Sequence, residues 1–140
     1  MNKKLKYKNG FALPIAMLCG IIVVSLGGIL LTSLNNQIKT EKTLKENMIA
    51  KYLSEAGIEH AIYDYNLEKK KDYKLVPDKK ESEEIKFNGG EYKFGYYKKN
   101  EEEGVFESVG KSSGGNKYKI EATFNIRSNK IVDWQESNNI

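Results

Sequence analysis

Few of the 140 residues are of types that do chemistry. His60 is the sole histidine, with Glu55 and Glu59 about one helical turn away. A metal or catalytic role would need further ligands, and there is no second histidine and no cysteine near it. Two carboxylates and a histidine on one helix read as solvated surface. The run Glu101-Glu102-Glu103 offers carboxylates but lacks the spaced Asp-x-Asp-x-Asp-Gly pattern of a calcium loop, so a solvated turn is expected. Cys19 is the sole cysteine and lies in an apolar run after Ala16-Met17-Leu18. Lipid attachment wants a small residue just before the cysteine, and Leu18 is large, so Cys19 reads as a small apolar residue. One cysteine allows no intramolecular disulfide. No nucleophile with a base and an orienting group, and no phosphate-binding loop, can be assembled from the sequence. The chain therefore reads as no enzyme, with no cofactor and no small-molecule substrate.

Tyr92, Tyr96, Tyr97 and Tyr118 fall in strand-like segments, and aromatics on a sheet can stack single-stranded nucleic acid. The charge argues otherwise. Of 23 basic residues, Lys3, Lys4, Lys6 and Lys8 precede Gly10, where no acid stands. The rest of the chain is balanced, with no basic surplus to attract phosphates. Nucleic acid is not an expected partner, and the tyrosines read as ordinary sheet residues.

One peptide bond stands out, that between Gly10 and Phe11. It follows the lysines and opens a stretch, Phe11 to Leu34, without a charge. As a helix this stretch would rise roughly 36 Å, enough to cross an apolar layer about 30 Å thick. The run is longer than a secretory h-region and has no small-x-small site at its far end, so a retained anchor is expected. The lysines before it predict a cytoplasmic amino terminus and a carboxy-terminal head outside.

Lys8-Asn9-Gly10-Phe11-Ala12-Leu13 resembles the leader junction of type IV prepilins. The resemblance implies that a prepilin peptidase cuts between Gly10 and Phe11 and that the new amine of Phe11 is methylated. The fifth mature position, usually glutamate in that family, is Ile15 here, and subunits lacking the glutamate are known mainly as minor components. Pro14, the fourth mature residue, suits a helix start near Phe11, because the first N–H groups of a helix have no intrahelical partner. Tyr52-Leu53-Ser54-Glu55-Ala56-Gly57-Ile58-Glu59-His60-Ala61 resembles the EAGIEHA stretch of PilX-like minor pilins, with Ser54 where alanine is common. Gly20, Gly27 and Gly28 in the anchor read either as close-packing positions for neighbouring anchors or as the glycine usual in membrane helices.

The elements follow from periodicity. Asn35 to about Tyr65 contains no proline. Ile38, Leu44, Met48, Ile49, Tyr52, Leu53, Ala56, Ala61 and Ile62 recur mostly at three and four from Met48 onward, which predicts an amphipathic helix. Residues 11–65 should form one helix of roughly 80 Å, with 11–34 transmembrane. Residues 66–83 are charged and aperiodic and read as a connecting loop, with Lys69-Lys70-Lys71 solvated and Pro77-Asp78 as a turn. From 84 to 140 the period becomes two. Ile85-Lys86-Phe87 and Tyr92–Tyr96 flank the turn Asn88-Gly89-Gly90; Val105–Val109, Tyr118–Ile126 and Ile131–Trp134 follow. The expected fold is α+β, a long helix packed on an antiparallel meander of four to five strands.

The functional expectation is a minor subunit of a type IV pilus-like filament, with a role in initiation or at the tip. Other pilin subunits would be partners through the helix, together with the membrane and the peptidase. The alternatives are a pseudopilin of a type II secretion or DNA-uptake machine, and a generic single-pass anchored adhesin.

Overall fold

The computed structural model describes residues 12–71 and 79–138. It is an α+β fold: one helix, α1 (Ala12–Lys71), and an antiparallel sheet of β1 (Lys80–Glu81), β2 (Ile85–Phe87), β3 (Gly90–Lys98), β4 (Glu103–Ser112), β5 (Lys117–Asn125) and β6 (Ile131–Ser137). The strand order is β1-β3-β4-β5-β6, with β2 beside β1 on the same edge of β3. The sheet has six strands rather than four to five, because β1 pairs through Lys80↔Tyr96 and Glu81↔Gly95. Gly95 makes this pairing possible, since a Cβ there would lie 2.6 Å from the Lys80 carbonyl oxygen. The chain divides into two compact units after Glu41, with the apolar run in the first.

In the first unit, Pro14 stands in the first turn of α1 as described, where a missing N–H costs nothing. The second unit holds the core. Helix residues Ala50, Ser54 and Ala61 are fully buried, and Leu53, Ile58 and Tyr65 nearly so. They meet the inward side of the sheet at Tyr92, Phe94, Tyr96, Phe106, Ile120, Ala122 and Phe124. Tyr65 inserts edge-on among Tyr96, Phe106 and Phe124 at ring distances of 5.0–5.6 Å, while Phe106 and Phe124 stack at 4.2 Å.

The helix departs from expectation in two ways. It continues through 66–71, which had read as loop. Leu, Glu and Lys are good helix formers, and lysines are favoured in a last turn, where the helix dipole is negative. The end is also tied down: Lys69 donates to Ile126 O at 3.2 Å and to Asn129 Oδ1 at 2.8 Å. Second, the apolar residues of the stripe do not share one face. Leu53 and Ala61 are buried, whereas Ile38, Leu44, Met48 and Tyr52 are 54–62% exposed. The buried face is instead rich in small residues.

That smallness sets the distance between the layers. A Cβ on Gly110 of β4 would lie 2.1 Å from Ala50 O and 2.5 Å from Ser54 N. These are backbone atoms and cannot turn aside. On the helix side, a Cβ on Gly57 would lie 2.0 Å from Ser108 Oγ. Ser54 Oγ donates to Ser108 O at 3.0 Å, so its buried hydroxyl is satisfied.

The turns carry the expected chemistry. Asn88 and Gly89 have φ of 30° and 94°, the left-handed pair of a tight hairpin between β2 and β3. At the last hairpin the β5–β6 register slips between Thr123 and Phe124. All seven residues of β6 are exposed.

Gly110→Ala should lower stability by about 2–3 kcal/mol through overpacking. Gly115→Ala, with φ of 89° but open space around it, should lower it by only about 1 kcal/mol. Chemical unfolding of the detergent-solubilised full chain measures both, and equal costs would refute the close-contact account.

Candidate functional site

Gly10 and Phe11 lie outside the described residues, as does the Pro77-Asp78 turn. From Ala12 onward the apolar part of α1 is open on every side. It contains an 18-residue window of mean hydropathy 2.5 with none of it buried, and is long and apolar enough to cross a membrane. A Cβ added at Gly20, Gly27 or Gly28 would meet nothing within 4 Å, so each is a notch without an occupant in the single chain. Thr32 Oγ1 donates to Gly28 O at 2.9 Å, which returns the hydroxyl to its own helix. Cys19 is exposed in the same segment.

The stretch Tyr52–Ala61 divides by face. Leu53, Ser54, Gly57, Ile58 and Ala61 form the seat of the helix on the sheet. Tyr52, Glu59 and His60 are exposed. His60 Nδ1 is 3.2 Å from Tyr92 Oη, and its ring lies 4.5 Å from that of Phe94. The histidine thus caps the edge of the core. Among the described residues, no three His, Cys, Asp or Glu side chains are grouped to hold a metal. In the Glu101-Glu102-Glu103 run, the N–H groups of Glu102 and Glu103 donate to Asn100 Oδ1 at 2.9 and 2.7 Å. This is an Asx turn leading into β4.

Tyr92 and Tyr96 are buried toward the helix, so their faces are not open to a base. Tyr97 and Tyr118 are half-buried. The opposite side of the sheet carries cross-strand ion pairs, Lys93–Glu81 and Lys119–Glu107 at 3.6 Å and Lys111–Glu91 at 2.6 Å. The first two border a shallow cleft of about 220 Å³. A smaller cavity of about 100 Å³ lies between α1 and the β5–β6 turn, with Ile62, Tyr65, Phe124 and Ile131 in its wall. The Tyr65 hydroxyl is buried without a partner among the described residues, and burial raises its pKa.

Two polar clasps join helix to sheet, and neither was legible in the sequence. In the first, Lys80 Nζ reaches Asp64 Oδ2 at 2.8 Å and pairs with Glu68, while Tyr96 Oη donates to Glu68 Oε2 at 2.6 Å. Burial works against the Lys80 charge, but its bonds to Asp64 and Glu68 outweigh that and hold its pKa above the ordinary value. Burial, then the bond to Glu68, pushes the Tyr96 phenol up. The second clasp centres on Glu136 of β6. It pairs with Lys51 at 2.8 Å and accepts from Tyr118 Oη at 2.5 Å and Trp134 Nε1 at 2.8 Å. Lys51, Tyr118 and Trp134 together pull its carboxyl down to about 2. An alternating strand can indicate that Trp134 and Glu136 share a side. Nothing in sequence indicates that Lys51 meets them 85 residues away.

Comparison with family models, with curated proteins and with solved structures finds no match to this chain.

Glu136 titrates at a lower pH folded than unfolded, so its contribution is full above about 4.5 and is lost as pH falls toward about 2. The stability deficit of Glu136→Gln should therefore be constant from neutral pH to about 5 and shrink below about 4.5. Urea unfolding followed by the emission of Trp134, the only tryptophan, measures it. A deficit independent of pH down to about 2 would refute the clasp.

Proposed function

We propose that the chain is a minor subunit of a type IV pilus-like filament, with a structural role in assembly and a position at initiation or at the tip. The carrying observation is a conjunction. A basic leader ending at Gly10 stands directly before the apolar run that opens at Phe11, and the helix that continues this run carries Ser54-Glu55-Ala56-Gly57-Ile58-Glu59-His60-Ala61. The leader supports retention of the anchor after cleavage on the cytoplasmic side, with the head outside.

The exposed faces of α1 support the same reading. Leu44, Met48, Tyr52 and Tyr63 are each more than half exposed. By the 3.6-residue period Met48, Tyr52 and Tyr63 lie on the side of the helix turned away from the Ala50–Ser54–Ala61 face, and Leu44 on its flank. A solvated helix keeps its large apolar groups under cover. One whose neighbours are other helices has a use for them there. Ile15 in place of the usual glutamate supports a minor rather than a repeating subunit.

Intact-mass measurement and amino-terminal sequencing of the membrane-extracted protein test the reading, with Gly10→Val beside it. The expected result is a chain beginning at methylated Phe11, with the leader retained in the variant. A wild-type chain that still carries residues 1–10 in cells with an active prepilin peptidase would overturn the proposal and leave a single-pass anchored protein.

A further inference from the structure

The two edges of the sheet differ in burial yet match in pattern. β6 is the last strand in the order, and all seven of its residues are exposed. Past the register slip it runs regularly from Asp133 to Ser137 against β5. A strand in that position is a template for another strand. Trp134 lies opposite Ala122 and so on the helix side of the sheet, and Asp133 lies opposite Thr123 on the outer side. At the other edge, Ile85 stands opposite Tyr92 on the helix side, Lys86 opposite Glu91 on the outer side, and Phe87 opposite Gly90. Phe87 is 60% exposed and Trp134 42%.

The segment Ile85-Lys86-Phe87 is thus apolar, basic, apolar, and Val132-Asp133-Trp134 is apolar, acidic, apolar. On each edge the charge lies on the outer side, and Ile85 at one edge and Trp134 at the other lie on the helix side. Among the described residues Asp133 accepts from the Gln135 amide at 2.9 Å, and the Glu91 carboxylate across from Lys86 is held by Lys111. Among the described residues neither Lys86 nor Asp133 is in an ion pair, so each can meet an opposite charge on a partner. Because each successive pair is antiparallel, β2 and β6 run in the same direction. A second copy set beside the first with the same face up brings its β2 alongside β6 as a parallel pair. Aromatic then meets aromatic, and lysine meets aspartate. Two-fold pairing of β6 with itself would instead bring two acidic strands together, which like-charge repulsion opposes.

We propose that β6 of one chain docks β2 of a second copy, continuing the sheet from one copy into the next. The contact is heterologous, joining two unlike edges. It goes beyond the subunit reading and does not depend on leader cleavage, so the two can fail separately.

The test uses the full chain in detergent micelles with Cys19→Ser as background. Differently tagged Lys86→Cys and Asp133→Cys chains are mixed and oxidised. Within one chain these positions are four strand spacings apart, about 19 Å, so no disulfide forms internally. The expected product is the mixed dimer, in clear excess over either self-linked dimer. Sedimentation provides a second reading. Asp133→Lys and Lys86→Asp should each weaken self-association at least tenfold, and the double swap should restore it. Predominance of the Asp133→Cys self-linked dimer would establish two-fold pairing and overturn the proposal. So would the absence of any cross-link, or single reversals without effect while circular dichroism reports an intact fold.

Discussion

The second unit rests on how closely α1 lies against the sheet. At Ala50, Ser54, Gly57 and Ala61 the helix has little or no side chain toward β4 and β5, and the strands answer with Ser108, Gly110 and Ala122. Larger groups would hold the two backbones apart. Leu53, Ile58 and Tyr65 then reach past these small residues into the aromatic layer of Tyr96, Phe106 and Phe124. The order of cause is therefore small residues first and apolar burial second: the contact distance lets the larger side chains find partners. The two polar clasps act at its margins. Lys80 ties the β1 edge to Asp64 and Glu68, and Glu136 ties β6 to Lys51, so the helix is fastened to both sides of the sheet that it crosses.

The same constraint explains what the sequence revealed and what it hid. Strand alternation was legible because the inward residues of β3 and β5 are large and apolar while their neighbours are charged. The turns at Asn88-Gly89 and Ser128-Asn129-Lys130 were legible because few residues tolerate positive φ. The helix was legible as a helix, but its buried face only at Leu53 and Ala61, with Ile49 and Ile62 at the margin. A hydrophobic period marks Leu44, Met48 and Tyr52, which are exposed, and passes over Ala50, Ser54 and Gly57, which make the contact. Likewise 66–71 looked like loop because of its charge, although leucine, glutamate and lysine continue a helix readily and its end is bonded to the β5–β6 turn. The two-residue β1 left no periodic trace, and its place depends on a glycine fourteen residues later.

The candidate functional residues divide in the same way. His60 and the Glu101–Glu103 run, which were the chemistry-bearing types, have structural partners in Tyr92, Phe94 and Asn100. The motif residues that carry the resemblance to minor pilins hold the helix on the sheet. A segment whose small residues set an interlayer distance tolerates little change.

The small-residue seat also governs the order of folding. Ser54 must wait for Ser108, and Lys51 for Glu136, so nearly every contact of the helix is with residues made much later. High contact order of this kind means that the second unit cannot complete itself until β6 has emerged. During that interval the inner face of the helix shows water mainly alanine, serine and glycine, with its larger apolar groups spaced apart. An interface built from small residues thus leaves Leu53, Ile58 and Tyr65 as the large apolar groups that the inner face holds uncovered until the sheet forms.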